Sequence, residues 1–236
     1  GVAPAAVFDA LQKEALSPGA PKKVDFELTT AGHPTRGSDK APVVIHVWSD
    51  FECPYCRKGE ETLAELDRLY PRQIQFVWHD LPLDFHPRAL PAARAAREAF
   101  RQKGNEGFWK MHDLLFGLAA SGAEVEREQL LGHAQSLGLK LPEFTSAIDS
   151  EALHPAIEAD KTVAGTLGIR GTPAFVIGGY LLAGARPLSH FERLVKLALE
   201  DAKKPPAAAA KPAAVTTPAT KPTPKAAPAA GTPTHL

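Results

Sequence analysis

Two cysteines, Cys53 and Cys56, are the only ones among 236 residues, and both fall in the stretch Trp48-Ser49-Asp50-Phe51-Glu52-Cys53-Pro54-Tyr55-Cys56-Arg57-Lys58. Their spacing fits chemistry on sulfur if a helix begins at the first of them. Cys53 would then sit where unpaired backbone N–H groups and the helix dipole favour a thiolate, lowering its pKa. Pro54 suits the first turn, where its missing N–H is not needed. One turn on, Cys56 would lie beneath Cys53, close enough for a disulfide. Cys53 could then attack a partner sulfur and Cys56 resolve the mixed disulfide. Taken alone, the pair also fits a static disulfide or part of a metal site. Two cysteines are too few for a disulfide framework and cannot by themselves complete a four-ligand zinc site.

The neighbouring elements supply the positioning this chemistry needs. Residues 43–48 (Val-Val-Ile-His-Val-Trp) form a near-continuous β-branched run, the pattern of a central strand covered on both faces. Helical spacing follows over 54–70 through Leu63, Leu66, Leu69 and Tyr70, and Pro71 stops it. Residues 74–78 read as a second strand, and the strand–helix–strand order predicts a right-handed crossover and a parallel pair. Residues 174–177 return to strand character, Gly178-Gly179 turns a hairpin into 180–183, and 188–200 is an amphipathic helix. Before this return strand stands Gly171-Thr172-Pro173, where a proline after a turn is compatible with a cis bond. A cis Thr172–Pro173 peptide would offer the Thr172 backbone to an extended substrate.

Between these strand-bearing parts, 87–165 reads as almost wholly helical, punctuated by Gly104, Gly107, Gly122, Gly138 and Pro142. Phe108, Trp109, Leu114, Leu115 and Phe116 read as a core stripe. Residues 24–28 alternate as an edge strand would, and 32–42 read as a loop. Residues 1–23 read as a helical extension. From Ala202 the composition collapses to Ala, Pro, Lys and Thr, the signature of a disordered basic tail.

Composition narrows the partners. Residues 202–236 hold five lysines and no acid, which leaves 22 basic against 27 acidic residues in 1–201, a net of −5. That balance argues against nucleic acid as a partner. No apolar run reaches 18 residues, so no membrane span is expected. The chain opens at Gly1 without a charged-then-apolar leader, as a processed secretory sequence or a trimmed one would. His79, Asp80, Asp84 and His86 cluster where the second strand ends, but no His-Glu-x-x-His pattern occurs and capping or surface roles are expected. No glycine-rich phosphate loop appears, so neither a nucleotide nor a metal cofactor is expected.

Taken together, Asp50-Phe51-Glu52-Cys53-Pro54-Tyr55-Cys56, Leu83-Asp84-Phe85-His86-Pro87, Phe108-Trp109-x-Met111-His112 and Gly171-Thr172-Pro173 resemble the DsbA-like thiol–disulfide oxidoreductases of the thioredoxin superfamily. The likeness spans roughly 24–200. It implies an α/β thioredoxin fold, 24–86 with 166–201, split by a helical insertion at 87–165. It implies a surface nucleophile at Cys53, a resolving thiol at Cys56 and a cis-proline at Pro173, with Pro54, Tyr55, Thr172 and Pro173 against the substrate. The implied setting is the periplasm or cell envelope, with a monomer acting on protein thiols or disulfides as a dithiol oxidase served by a membrane redox partner; the alternatives are a reductase or isomerase of the same fold, or a peptide-binding chaperone or metal carrier without redox turnover. Two departures bear on subtype. Strongly oxidising members carry Pro-His between the cysteines; Tyr55 lacks that charge, so a potential below the roughly −120 mV of DsbA is expected. Relatives also hold a buried acid six residues before the first cysteine, where this chain has Val47. Asp50, Glu52 or water are then the proton carriers to consider for Cys56.

Overall fold

The computed structural model describes residues 21–121, 125–150 and 154–203. Much of the extension expected at 1–23 and nearly all of the expected tail lie outside that range. A five-stranded sheet organises the molecule: β1 (Thr35–Gly37), β2 (Val43–Ser49), β3 (Ile74–Asp80), β4 (Ala174–Ile177) and β5 (Tyr180–Ala183), in spatial order β1-β3-β2-β4-β5. The β-branched β2 is central and buried along most of its length, as a strand covered on both faces must be. It runs parallel to β3, with Val43 opposite Ile74 and Ser49 opposite Asp80, and antiparallel to β4, with Trp48 opposite Ala174. The crossover between the parallel strands is α1 (Pro54–Leu69). Gly178 and Gly179 join β4 to β5, both with positive φ (53° and 92°) as a type I′ hairpin requires.

Alternation along β2 assigns its two faces. Val43, Ile45 and Val47 pack with Leu63 and Leu66 of α1 and with Phe191, Leu194 and Val195 of α6 (Leu188–Ala202). Trp48 turns the other way, toward Ala164 of α5 (His154–Thr166). Between β3 and β4 the described residues form four helices, of which α5 is the last. The others are α2 (Ala89–Ser121), α3 (Arg127–Ser136) and α4 (Leu141–Asp149). Helix α2 breaks at Gly104, whose φ of 59° is open to glycine at little cost. The helical expectation for this stretch holds, but Gly107 does not interrupt it. A Cβ there would meet the Ala99 carbonyl at 2.5 Å, so the glycine lets the two halves of α2 close on each other.

Two local expectations differ from the structure. Residues 24–28 form no strand: Lys23 makes an isolated bridge to Tyr180, Val24 N–H donates to Gly179 O at 2.8 Å, and Phe26 is exposed. The sheet edge next to β3 is instead formed by β1, within the segment read as a loop. Its pairing with β3 is secured by side chains about 70 residues away. Thr35 N–H donates to Asn105 Oδ1 at 2.8 Å, and Trp109 Nε1–H donates to Thr35 O at 2.8 Å. Local alternation cannot report a strand fixed this way.

Candidate active site

Cys53 is the N-cap of α1, and its carbonyl accepts from the Cys56 and Arg57 amides at 3.0 and 3.2 Å. This start follows from the sequence: Asp50 O accepts from Cys53 N–H at 3.2 Å, and Pro54 takes the first helical position. Both thiols are free. Cys53 is 4% exposed and Cys56 1% exposed, so the surface nucleophile expected at Cys53 lies just beneath the surface. It is framed by exposed Pro54 and by Tyr55, which is 48% exposed.

The Thr172–Pro173 peptide is cis, and the Cys53 thiol donates to Thr172 O at 3.7 Å. The distant Gly-Thr-Pro segment is therefore brought to the nucleophile. Gly59 of α1 faces the Pro173 ring, where a Cβ would sit 3.4 Å from Pro173 Cγ. The two sulfurs are electrostatically unequal. A hydrogen bond from Cys56 leads the effects that pull Cys53 down to about 6, with the Thr172 hydroxyl and the Cys56 and Tyr55 amides adding to it against the cost of burial. Burial foremost, then the neighbouring Cys53, pushes Cys56 well above its ordinary value. Asp50 N–H donates to Cys56 Sγ at 3.4 Å, and the Ser49 hydroxyl also favours a Cys56 thiolate.

The two acids expected to carry a proton have other engagements. Asp50 is buried. Its Oδ1 accepts from Glu52 N–H at 2.8 Å, and its Oδ2 accepts from Leu83 N–H at 2.9 Å and from His86 Nδ1–H at 2.7 Å. Glu52 Oε2 accepts from Arg88 N–H at 2.7 Å. Among the described residues, neither carboxylate is hydrogen-bonded to a sulfur. Both pin the 81–88 loop against the helix start, which leaves Phe85 76% exposed on the rim.

Behind α1 lies a second cluster, where His112 of the Phe108–His112 motif meets Glu60, a residue the sequence patterns did not single out. His112 is buried, with Nδ1 2.8 Å from Asp113 Oδ1 and Nε2 3.4 Å from Glu60 Oε2. Arg36 holds Asp113 at 3.1 Å. Glu60 is four residues after Cys56, the one sequence signal that places both on the same helix side.

On the opposite sheet face, His33, His79 and Asp160 bring ligand-type atoms within 4.8 Å of one another. These are the residues that could hold a cation. Arg97 already neutralises Asp160 at 2.5 Å and also pairs with Asp80, while His79 bonds to Asp160 and to His46 at 2.8 and 2.9 Å. His79 and Asp160 are thus engaged with Arg97, His46 and each other, while His33 Nδ1 lies 3.5 Å from Asp160 Oδ1 and has no hydrogen-bond partner among the described residues.

A family profile described as Thioredoxin matches residues 29–197. An Na⁺/H⁺ antiporter, NhaA 1 of Salinispora arenicola, is 40% identical over 146 residues, covering 61% of this chain and 21% of that protein. The chain thus spans about a fifth of this curated relative's length. A periplasmic thioredoxin-like protein of Salmonella enterica serovar Typhimurium superposes with a TM-score of 0.60 at 23% identity, covering 71% of this chain and 90% of that one. The thiol–disulfide exchange protein α-DsbA2 of Wolbachia pipientis gives 0.61 at 21% identity, covering 71% and 87%.

Proposed function

Because the chain belongs to the thioredoxin family, we propose that it exchanges disulfides with protein substrates through Cys53 and Cys56, as a dithiol oxidase of the periplasm or cell envelope. The observation that carries this reading is the unequal pair. Cys53 is drawn down to about 6 at a helix start and Cys56 is held up by burial. At neutral pH one sulfur is then a competent nucleophile or leaving group, and the other waits as a thiol.

In the oxidising direction a substrate thiolate attacks Cys53 Sγ of the enzyme disulfide. The Cys53–Cys56 bond breaks, and its electron pair goes to Cys56. A second substrate thiolate then attacks the substrate sulfur of the mixed disulfide and displaces Cys53 as a thiolate. The substrate leaves oxidised and the enzyme reduced. A low Cys53 pKa makes it a good leaving group in that last step. The exposed Tyr55 and Pro54, with the Thr172 backbone, form the surface a substrate chain meets; strand-like pairing with the backbone would hold it. A membrane oxidase would restore the disulfide, and the enzyme would act as a monomer. The periplasmic Salmonella neighbour supports this location.

The test uses oxidised protein and a reduced, unfolded substrate with two thiols. Cys53→Ser should abolish substrate oxidation, and Cys56→Ser, which cannot form the enzyme disulfide, should accumulate a mixed disulfide through Cys53 when given the disulfide-bonded form of the substrate, seen as a mass adduct. Unchanged activity in both variants contradicts the mechanism. A reduction potential near the roughly −270 mV of thioredoxin would reverse the assigned direction and make the protein a reductase.

A further inference from the structure

His33, His79 and Asp160 come from the turn before β1, the end of β3 and the middle of α5, yet their polar atoms converge. Asp160 Oδ1 is the meeting point: His79 Nδ1 lies 2.8 Å from it and His33 Nδ1 3.5 Å. One ligand-type atom from each residue falls within 4.8 Å of the other two. His33 Nδ1 is itself buried and has no hydrogen-bond partner among the described residues. Buried polar atoms are almost always paired, so an unpaired ring nitrogen facing a carboxylate calls for a shared partner. We propose that these three side chains bind a first-row divalent cation of the zinc type, at a site separate from the cysteine pair. The inference goes beyond the disulfide-exchange reading and does not depend on it.

The donor set suits that cation. Two imidazole nitrogens and one carboxylate oxygen leave a fourth tetrahedral position for water. Nitrogen donors favour zinc and its first-row neighbours, whereas calcium and magnesium need more oxygens. The Asp160 carboxylate divides its two oxygens. Oδ2 accepts from Arg97 at 2.5 Å and from the Asp80 amide at 2.9 Å, which fixes the group and leaves Oδ1 for the metal. Trp48 stacks on the His79 ring with centroids 4.3 Å apart and sets its plane. His79 Nε2 meets His46 Nδ1 at 2.9 Å. With Nδ1 on the metal, His79 carries its proton on Nε2 and donates it to His46, the outer contact that ligating histidines commonly make.

Charge and access agree with this assignment. Arg97 brings one positive charge to Asp80 and Asp160, two carboxylates each 1% exposed. With both ionised and the histidines neutral, one positive against two negative charges leaves the buried group at −1, which a cation offsets. Burial lowers the pKa of His33 and of His79, and the neutral ring is the form that ligates. The His33 side chain is 19% exposed and gives the metal a way in from solvent. Once bound, the metal joins the chain ahead of β1 to β3 and to α5, whose Asp160 lies 81 residues after His79. Only the folded chain brings these ligands together, so binding stabilises it.

The sample is the full chain in its oxidised form, because a Cys53–Cys56 disulfide offers no thiolate to a metal. After treatment with chelator, calorimetric titration with zinc chloride should show one-to-one binding, and zinc should raise the thermal midpoint. His33→Ala should weaken zinc binding by at least about 10-fold and abolish that thermal shift. His33→Gln should do the same and stands in if His33→Ala does not fold. His190→Ala, outside the cluster, should bind zinc as wild type does. Cobalt at the site should show visible d–d bands with no sulfur-to-metal charge-transfer band, and calcium should not displace it. Failure of the wild-type chain to bind zinc one-to-one overturns the inference, as does equal affinity in the His33 variants. A sulfur charge-transfer band, or displacement by calcium, overturns it too, since either marks a different set of ligands.

Discussion

Cys53 and Cys56 carry identical side chains in opposite surroundings. Cys53 accepts stabilisation from Cys56, the Thr172 hydroxyl and two amides of the first helical turn, and these offset the cost of burying its charge. Cys56, one turn deeper, bears the same burial with fewer compensating donors and the Cys53 charge beside it. The division of labour follows from chain position, since only the first residue of a helix meets unpaired amides. Tyr55 adds no formal charge between the two, so the thiolate depends on neutral donors. The same contrast sets the proton traffic: Cys53 can stay ionised at neutral pH, whereas Cys56 must trade a proton each time the disulfide opens or closes.

At the level of elements, the site is a meeting of helix α1, the strand opening β4, and the 81–88 loop that follows β3. Asp50 ties the loop to the helix start with three accepted hydrogen bonds from a buried carboxylate. Hydrogen bonds to charged groups are the stronger kind, and removing the acceptor leaves its donors unpaired. Asp50→Ala should therefore lower stability by about 3 kcal/mol in urea denaturation and open the 83–86 loop to proteolysis. A loss under about 0.5 kcal/mol, the scatter of ordinary surface changes, would show that Asp50 does not organise the site. The sequence made the principal strands, α1 and the cysteine pair legible because each rests on local signals. Those signals are the β-branched run of β2, Pro54 and Pro71 bracketing α1, and the paired glycines between β4 and β5. Less was legible where a partner lies far along the chain. Three-residue β1 depends on Asn105 and Trp109, and His86 acquires its role only through Asp50. Glu60 is informative only once His112, 52 residues later, is seen beside it.

At the scale of the whole molecule, the sheet is fastened to its helices by a buried polar network. Arg97 of α2 pairs with Asp80 of β3 and Asp160 of α5, and Trp48 stacks on His79 with ring centroids 4.3 Å apart. His46 and His79 are drawn down to about 3, chiefly by burial, and fold as neutral rings. An unfolded chain binds protons on both at ordinary values near 6.5. Stability from these histidines is thus full above about pH 6.5 and is lost as pH falls toward 3. Burial raises Asp80 and Asp160, so their protonation in the folded state works in the opposite sense. Between pH 7 and 5, one such histidine removes about 2 kcal/mol. His46→Gln should cut the acid-induced loss of unfolding free energy, measured by urea denaturation, by about that amount. Equal acid sensitivity in both proteins would mean that His46 is charged in the folded state.

The unequal pair can be read directly from the ultraviolet absorbance of thiolates during a pH titration of the reduced protein, with Cys53→Ser and Cys56→Ser as controls. One thiolate should appear with a midpoint near pH 6 and vanish in Cys53→Ser, while the second stays protonated past pH 9. Two thiols titrating together near the ordinary cysteine value would contradict the assignment of nucleophile and resolving thiol.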